Sequence, residues 1–552
     1  MKNRHVNAVV IGAGAGGGVV ASELASAGLS VVLLERGDWP VYDRHINDEL
    51  ISQRTQILGA AFGPDWRKNP RVIKYPDGTR QITSPIKGYY SHIAACVGSG
   101  TVSYGAMAWR YMPEDFRMKT TYGKVEGSSL DDWPISYDDI EPYYEKAEWE
   151  IGVSGDGAGN PFEGNRNRDY PMPAFENNRD GELLASAARR LGLHPFPIPM
   201  LRNSVPYNYR PGCIRNRTCV GYQCPVDAKN GTHNTVIPKA IATGNCEVRT
   251  GCQVAEIISH PGGNVKGVRY YDENDREQIQ TSDIIVLAAS AIESARLMLN
   301  SKTSLFPAGL GNNSDMVGRN LQGHAYTGAF GIFRDEIKTY SGPGATFALC
   351  DYNHHNEGII GGGLLANEFN RMPYLFSQVR PPGAKRWGSA HKEFQVRNLK
   401  RMTEMVGPIQ EMPNPESRVT IAEDVKDYWG IPVPALSGQR HPLDHEHCKF
   451  LSARAEEILR EAGAHFTWQS VGGRGGPSGD QHQCGTLRMG NDPATSVVNR
   501  YGQVHEIDNL FVADGSVFVT GGGFNPVLTI MAMGYYVSDY IIKNWNGSKF
   551  RA

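Results

Sequence analysis

Residues 7–20 read NAVVIGAGAGGGVV. The run Asn7–Ile11 has the composition of a buried strand. Gly12, Gly14 and Gly17 then fall on G-x-G-x-x-G and lead into GVVASELASAG, whose apolar residues recur at helical spacing. A second apolar strand, LSVVLLERG, ends in Glu35, twenty-three residues after Gly12, where a dinucleotide fold needs an acid for the ribose hydroxyls. In such a unit Gly12 permits the tight turn. Gly14 lets a pyrophosphate reach the helix N-terminus, and Gly17 lets helix pack on strand. Lys2 and Arg4 before a small-residue apolar run also fit the start of a signal peptide. A leader has no use for a second strand or for Glu35, so the expected location is cytoplasmic.

With 552 residues the chain is long enough for two cores, or for one large core carrying an inserted domain. Its net charge of −2 gives no electrostatic footprint for nucleic acid. No run approaches eighteen uninterrupted apolar residues, and the last apolar stretch, NPVLTIMAMGYYVSDYII, is broken by Thr, Gly, Ser and Asp, so no membrane span is expected. Sixty-three glycines suit loops that bring backbone close to a ligand. Nine cysteines neither demand nor exclude an oxidising compartment.

Further along, CQVAEIIS, VKGVRYYD and DIIVLAAS alternate as strands between the turn signals PGGN and DENDRE. HEHCKFLSARAEEILREAG predicts an amphipathic helix. The stretch from about 153 to 212, rich in Gly, Asn, Pro and Arg, has no steady period and is expected to be loop.

Five further motifs stand in order. They are CVGSGTVSYGAMAWR at 96–110 with DDWPISYDDIEPYYEKAEWEIGVSG after it, IIVLAASAIESARLMLN at 284–300, VGRNLQGH at 317–324, HQCGTLRMG from His482, and VADGSVFVTGGGFNPVLTIMAM from Val512. Together with the opening unit they resemble the glucose-methanol-choline family of FAD oxidoreductases over nearly the whole chain. The segment CVGYQCPVDAKNGTHNTVIPKAIATG is similar to bacterial sugar and glycoside dehydrogenases of the glucoside 3-dehydrogenase kind, with pyranose and C-glycoside oxidases as neighbours. The resemblance implies an α/β fold: a Rossmann-like FAD-binding domain with an inserted sheet-and-helix substrate domain. The discontinuous FAD-binding domain would comprise 1–120, 213–325 and 471–552, with 121–212 and 326–470 forming the substrate domain and loop excursions.

Alcohol oxidation removes a hydroxyl proton and passes a hydride from carbon to flavin, so a base must stand beside the cofactor. Histidine serves near neutral pH. His482 matches the family's base. Asn525 matches its partner position, filled by His or Asn; an asparagine amide donates to the substrate oxygen and does not titrate, leaving proton abstraction to His482. His324 reads as a structural or substrate-domain histidine. Asp514 and Gly515 resemble the family segment that lies close to the flavin. In the 96–110 loop, Gly98 and Gly100 permit close approach to the ring, and Ser99 and Thr101 are expected to hydrogen-bond the ring or the phosphates. Some pyranose oxidases attach FAD through a histidine in this loop. Here TVSYG places Ser103 and Tyr104 instead, so FAD is expected to be noncovalent.

Cys213, Cys219 and Cys224 are spaced C-x5-C-x4-C. Three thiolates on a short loop can hold a three-iron cluster, as the resemblance to membrane-linked sugar dehydrogenases implies. The alternatives are buried packing thiols or a disulfide. No C-x-x-C-H occurs to attach a haem. Trp109, Tyr111, Tyr374 and Trp387 are candidate platforms for a sugar ring or ordinary packing residues. The basic stretch at 380–394 is either a lid or a solvated loop.

The favoured function is FAD-dependent oxidation of a secondary ring hydroxyl, at C3 or C2, of a sugar or glycoside. Oxygen, a quinone or a carrier protein would take the electrons. A non-sugar alcohol substrate and a non-redox lyase on the same fold are the alternatives.

Overall fold

In the computed structural model, residues 4–42, 48–83, 93–473, 475–479, 481–545 and 550 are described; Lys2, part of the signal-peptide reading, lies outside them. The predicted unit forms as β1 (Val6–Ile11), α1 (Ala15–Ser26) and β2 (Val31–Leu34). β1 runs parallel to β2 on one side and to the strand Glu277–Leu287 on the other, with Val9 opposite both Val32 and Ile285. Both faces of these strands are covered, which is why they read as continuous apolar runs rather than alternating ones. The strand Cys246–Arg249 extends the sheet beyond β2, and Leu510–Val512 joins Glu277–Leu287, both in parallel. Three distant pieces of chain therefore build one α/β sheet.

The strands expected at 252–259, 265–272 and 283–290 are present as Gln253–Ser259, Val265–Tyr271 and Glu277–Leu287. The last begins earlier than its apolar run because its first half alternates and forms a hairpin, Tyr271 opposite Glu277. The apolar C-terminal stretch forms the helix Val527–Asn544, which packs against α1. At the crossing a Cβ on Gly534 would stand 3.2 Å from the Gly16 carbonyl oxygen, so a larger residue there would have to push the two helices apart by a few tenths of an ångström. Among the described residues no helix is long and apolar enough to cross a membrane.

A second sheet orders Phe466–Ser470, Tyr326–Ile332, Met402–Pro408, Leu365–Ala366, Phe347–Leu349 and Phe196–Pro197. The predicted amphipathic helix covers it as Pro442–Glu461, with Leu451, Ala455 and Ile458 packed on Ala329, Leu349 and Met405. In a four-stranded sheet Val72–Lys74 and Arg80–Ile82 join Arg418–Lys426 and Pro432–Ser437. Strands from 1–120 and 326–470 thus share hydrogen bonds.

The loop expected over 153–212 contains the helix Arg179–Arg190. Asn178 starts it by accepting from the Gly181 N–H at 3.0 Å, and Leu184, Ala185, Ala187 and Ala188 bury one face. The Asn, Pro and Gly residues before it hid a short amphipathic period.

Candidate active site

One cleft connects the glycine turn to His482 and Asn525. At its first end no side chain caps α1 and no acid occupies the first turn, while Gly14, Ala15 and Gly16 line the wall. The unpaired N–H groups and the positive end of the helix dipole therefore face the cleft and suit a phosphate. Gly12 adopts φ +102°, and a Cβ there would lie 2.4 Å from the Ala288 carbonyl oxygen. Gly17 packs behind the turn. Glu35 is buried, accepting from the Ala13 N–H at 2.9 Å and the Gly37 N–H at 3.0 Å. Burial pushes its carboxyl pKa up, and those two N–H groups pull it back.

The 96–110 loop follows. Gly98 turns at φ +92° against His233, and Ser99, Gly100 and Thr101 line the cleft. The hydroxyl hydrogens expected to serve a ligand are used within the protein. Ser99 Oγ donates to the Ala94 carbonyl at 2.8 Å and Thr101 Oγ1 to that of Gly98 at 2.6 Å, and Thr101 Oγ1 also accepts from the Thr232 N–H at 3.2 Å, which leaves the Ser99 lone pairs the more open to a donor. Asp514 and Gly515 also line the wall. Asp514 accepts from Ser290 N, Ser294 Oγ, and the backbone N–H and hydroxyl of Ser516, tying the 288–294 turn to the last strand. Burial raises its pKa against these donors.

At the far end His482 holds a left-handed backbone, φ +56°; for a residue other than glycine this costs about 1 kcal/mol and concentrates at functional sites. Asn525 Nδ2 stands 3.5 Å from His482 Nε2 and donates to Tyr326 Oη at 2.9 Å. Asn525 Oδ1 accepts from Trp109 Nε1 at 2.9 Å. An indole N–H only donates, so it pins the amide oxygen and turns the amide nitrogen toward His482. Tyr326 Oη also donates to Glu368 Oε1 at 3.3 Å. Burial pushes the Glu368 pKa up to about 8, against the pull of Arg54. Arg54 lies 3.9 Å above the Phe369 ring. Arg54, Tyr326, Glu368 and Phe369 all line the cleft, and sequence reasoning missed all four because each stands in a segment with no local signature.

Of the two readings of the aromatic residues, ordinary packing holds for Trp109 and Tyr111. Trp109 and Tyr111 are buried and do not line the cleft: Trp109 orients Asn525, and Tyr111 donates to the Gly521 carbonyl. Trp387 is 84% exposed, and residues 380–394 line no part of the cleft, which favours solvated surface over a lid. The backbone N–H of Tyr374 donates to Glu49 at 2.8 Å.

Cys213, Cys219 and Cys224 are unbridged and half-buried, and they lie near buried Arg202 and Lys229. Lys229 Nζ donates to the carbonyls of Tyr104, Cys219 and Tyr222. Among the described residues no group of three or more His, Cys, Asp or Glu is placed to hold a metal ion. The geometry lends the iron–sulfur and disulfide readings no support, and the three thiols stand near Arg202 and Lys229.

A dinucleotide-type sheet whose cleft ends on a histidine and an oriented asparagine amide is the arrangement of an enzyme that works on a substrate hydroxyl beside a dinucleotide. Two family models described as GMC oxidoreductase match residues 121–326 and 413–534. The 6'''-hydroxyparomomycin C oxidase of Streptomyces lividus is 31% identical over 95% of this chain and 89% of its own length. The fructose dehydrogenase large subunit of Gluconobacter japonicus is 27% identical over 99% of each chain. Among solved structures, pyridoxine 4-oxidase from Mesorbium loti shares the fold, with a TM-score of 0.62 and 16% identity over 97% of this chain and 98% of that one. The chain belongs to the GMC oxidoreductase family, FAD-dependent enzymes that act on CH–OH groups.

The role of Trp109 is open to measurement. Trp109→Phe keeps most of the ring and removes the N–H, freeing the Asn525 amide to turn. Flavin reduction by substrate under anaerobic conditions is expected to slow about tenfold, the value of one lost hydrogen bond, with flavin content unchanged. A variant as fast as the parent would show that another group orients the amide.

Proposed function

We propose that this enzyme oxidises a secondary ring hydroxyl of a sugar or glycoside, at C3 or C2, to the keto-sugar. The observation that carries this reading is the His482–Asn525 pair, 3.5 Å between Nε2 and Nδ2, at the end of a cleft whose other end suits a dinucleotide. The names of relatives support a sugar or glycoside substrate, while two of them name a 6' or 6''' position and none names C3 or C2 of a ring. Besides the two above, paromamine 6'-oxidase of Streptomyces fradiae is 30% identical over 96% of this chain and 90% of its own length. The polar wall of Arg54, Gln53, Tyr326 and Glu368 suits a polyol better than the long-chain alcohol of the alternative reading.

The N-terminus of α1, Gly12, Gly14 and Glu35 would hold the pyrophosphate and ribose of FAD. The 96–101 loop with Asp514 and Gly515 would flank the ring. FAD, when bound, accepts the hydride from the carbinol carbon. A hydroxyl oxygen seated between Asn525 and His482 accepts from Nδ2 and donates to Nε2, which fixes one orientation. His482 then takes the hydroxyl proton while Asn525 keeps its donor on the same oxygen. The units 1–120, 213–325 and 471–552 would carry FAD, and 121–212 with 326–470 the substrate walls. Oxygen, a quinone or a carrier protein would complete the cycle.

The test is an anaerobic absorbance spectrum from about 300 to 700 nm before and after adding a panel of glycosides, free sugars and alcohols. Bleaching of the flavin bands by a glycoside or sugar is the expected outcome. Bands that no sugar or alcohol bleaches would move the enzyme to the lyase class. The cofactor is also expected to be noncovalent, because Ser103 and Tyr104 stand where a linking histidine would. Acid precipitation should release all yellow colour to the supernatant, and a yellow pellet would refute it.

A further inference from the structure

We propose that His324 is a positioning residue that fixes the tautomer of His482, so that Nε2 is the basic nitrogen. The inference rests on the reading of His482 as the base and adds what prepares it. His324 is 2% exposed, just ahead of the strand Tyr326–Ile332. Its Nε2 lies 2.8 Å from the Gly522 carbonyl oxygen and 3.2 Å from that of Gly521. Carbonyl oxygens only accept, so Nε2 carries hydrogen. Burial holds the ring below the ordinary histidine pKa, although Glu411 and the two carbonyls pull the other way. In the neutral ring that burial favours, this is the one hydrogen, and Nδ1 is an acceptor. His482 Nδ1 stands 2.8 Å from it and must be the donor.

A neutral His482 with hydrogen on Nδ1 has its lone pair on Nε2, the atom that faces Asn525 Nδ2. A second constraint reaches the same answer from the other side. Trp109 pins Asn525 Oδ1, so Nδ2 must present hydrogens toward His482. A hydrogen on His482 Nε2 would then set donor against donor. The Gly521 and Gly522 carbonyls and the Trp109 N–H thus impose one protonation pattern on the whole row. When Nε2 takes the substrate proton, Nδ1–H continues to donate to His324, so the imidazolium keeps its partner.

Among the described residues the charged groups around His324 are engaged elsewhere. Glu411 is paired with Arg440 at 2.8 Å and accepts from the Gly323 N–H and Ser478 Oγ. Asp444 accepts from the Met412 N–H, and Asp115 is paired with His354 at 3.1 Å. The Cys484 thiol is buried and its pKa is raised. On the cleft side stand Tyr326 and Glu368 with Arg54.

Two substitutions separate the ends of the ring. His324→Gln places an amide near the Nε2 position and has no acceptor where Nδ1 was. His324→Asn places its carbonyl oxygen near Nδ1 and reaches no further. With both as FAD-loaded enzymes, the rate of anaerobic flavin reduction by the best glycoside is followed against pH. His324→Gln is expected to lower the limiting rate about tenfold or more. It should also move the acid limb about one unit to lower pH, since the imidazolium loses a hydrogen-bond acceptor. His324→Asn should restore the limb and most of the rate. Equal losses in both variants with an unmoved limb would show a merely structural histidine and overturn the proposal. His482→Gln is run beside them: full activity there would remove the base assignment itself, whereas activity lost there with no shift in His324→Gln removes only the role of His324. If neither His324 variant holds FAD, histidine-selective nitrogen-15 NMR of the parent holoenzyme decides. The resonances that vanish in His482→Gln are expected in the Nδ1–H form, and the Nε2–H form would overturn the proposal.

Discussion

Replacing His482 with alanine is expected to slow anaerobic flavin reduction by about 10²–10⁴, the range removed with a general base, while flavin content and the shape of the flavin spectrum stay as in the parent. Two features keep the measurement clean. Alanine pays about the same backbone cost at φ +56° as histidine does, because the strain arises at Cβ, which both possess. The cofactor end of the cleft, built from the glycine turn, Glu35 and Asp514, does not involve His482. Asn525→Ala should cost less, about 10- to 100-fold, since it removes a hydrogen bond and leaves the proton acceptor in place. Rapid-mixing absorbance under anaerobic conditions separates the two losses. A His482→Ala enzyme within tenfold of the parent would place the base elsewhere, with Tyr326 and Glu368 the nearest titratable groups on the cleft wall.

The parts of this site legible from sequence are those whose chemistry is confined to a few neighbouring residues. Gly12 to Glu35 forms one local β-α-β unit in which strand periodicity, glycine spacing and the acid all lie within thirty residues, and the fold contains each element. His482 and Asn525 stand out through the motifs that surround them on the chain. Tyr326, the adjacent pair Glu368 and Phe369, and Arg54 sit in three separate stretches with no such surroundings. They meet only because the six-stranded sheet and the loop holding Arg54 close on the same cleft, and a side chain placed by tertiary packing leaves no periodic trace. Trp109 and His324 show a subtler failure. Both stand within recognisable motifs, yet a donor-only indole and a singly protonated ring acquire their roles from what stands 2.8–2.9 Å away, on residues 158 or more positions distant. The cysteines err in the opposite direction. Their spacing suggests a cluster, and only the fold shows Arg202 and Lys229 buried against them.

Gly17→Ala is expected to yield protein without flavin. A Cβ at Gly17 would stand 1.9 Å from the Gly12 carbonyl oxygen and 3.0 Å from Ala288 Cβ. The first distance is far inside contact, and its partner is backbone. Gly12 sits in the turn at φ +102°, and its N–H donates to the Leu34 carbonyl at 2.8 Å, tying the turn to β2. The helix must therefore lift from β1 and from the strand Glu277–Leu287. Overpacking of this kind costs about 1–3 kcal/mol. The larger loss is functional, because the N-terminus of α1 moves with the helix and the N–H groups that suit a pyrophosphate leave their place beside Glu35. Gly28→Ala is the control. Gly28 has φ +88° with nothing within 4 Å of where a Cβ would stand, so alanine there costs about 1 kcal/mol of backbone strain and leaves α1 seated. The flavin-to-protein absorbance ratio of the two purified variants reads the difference directly. Full flavin in Gly17→Ala would mean that the turn yields without displacing the helix end, and that close helix–strand contact is not what holds the cofactor.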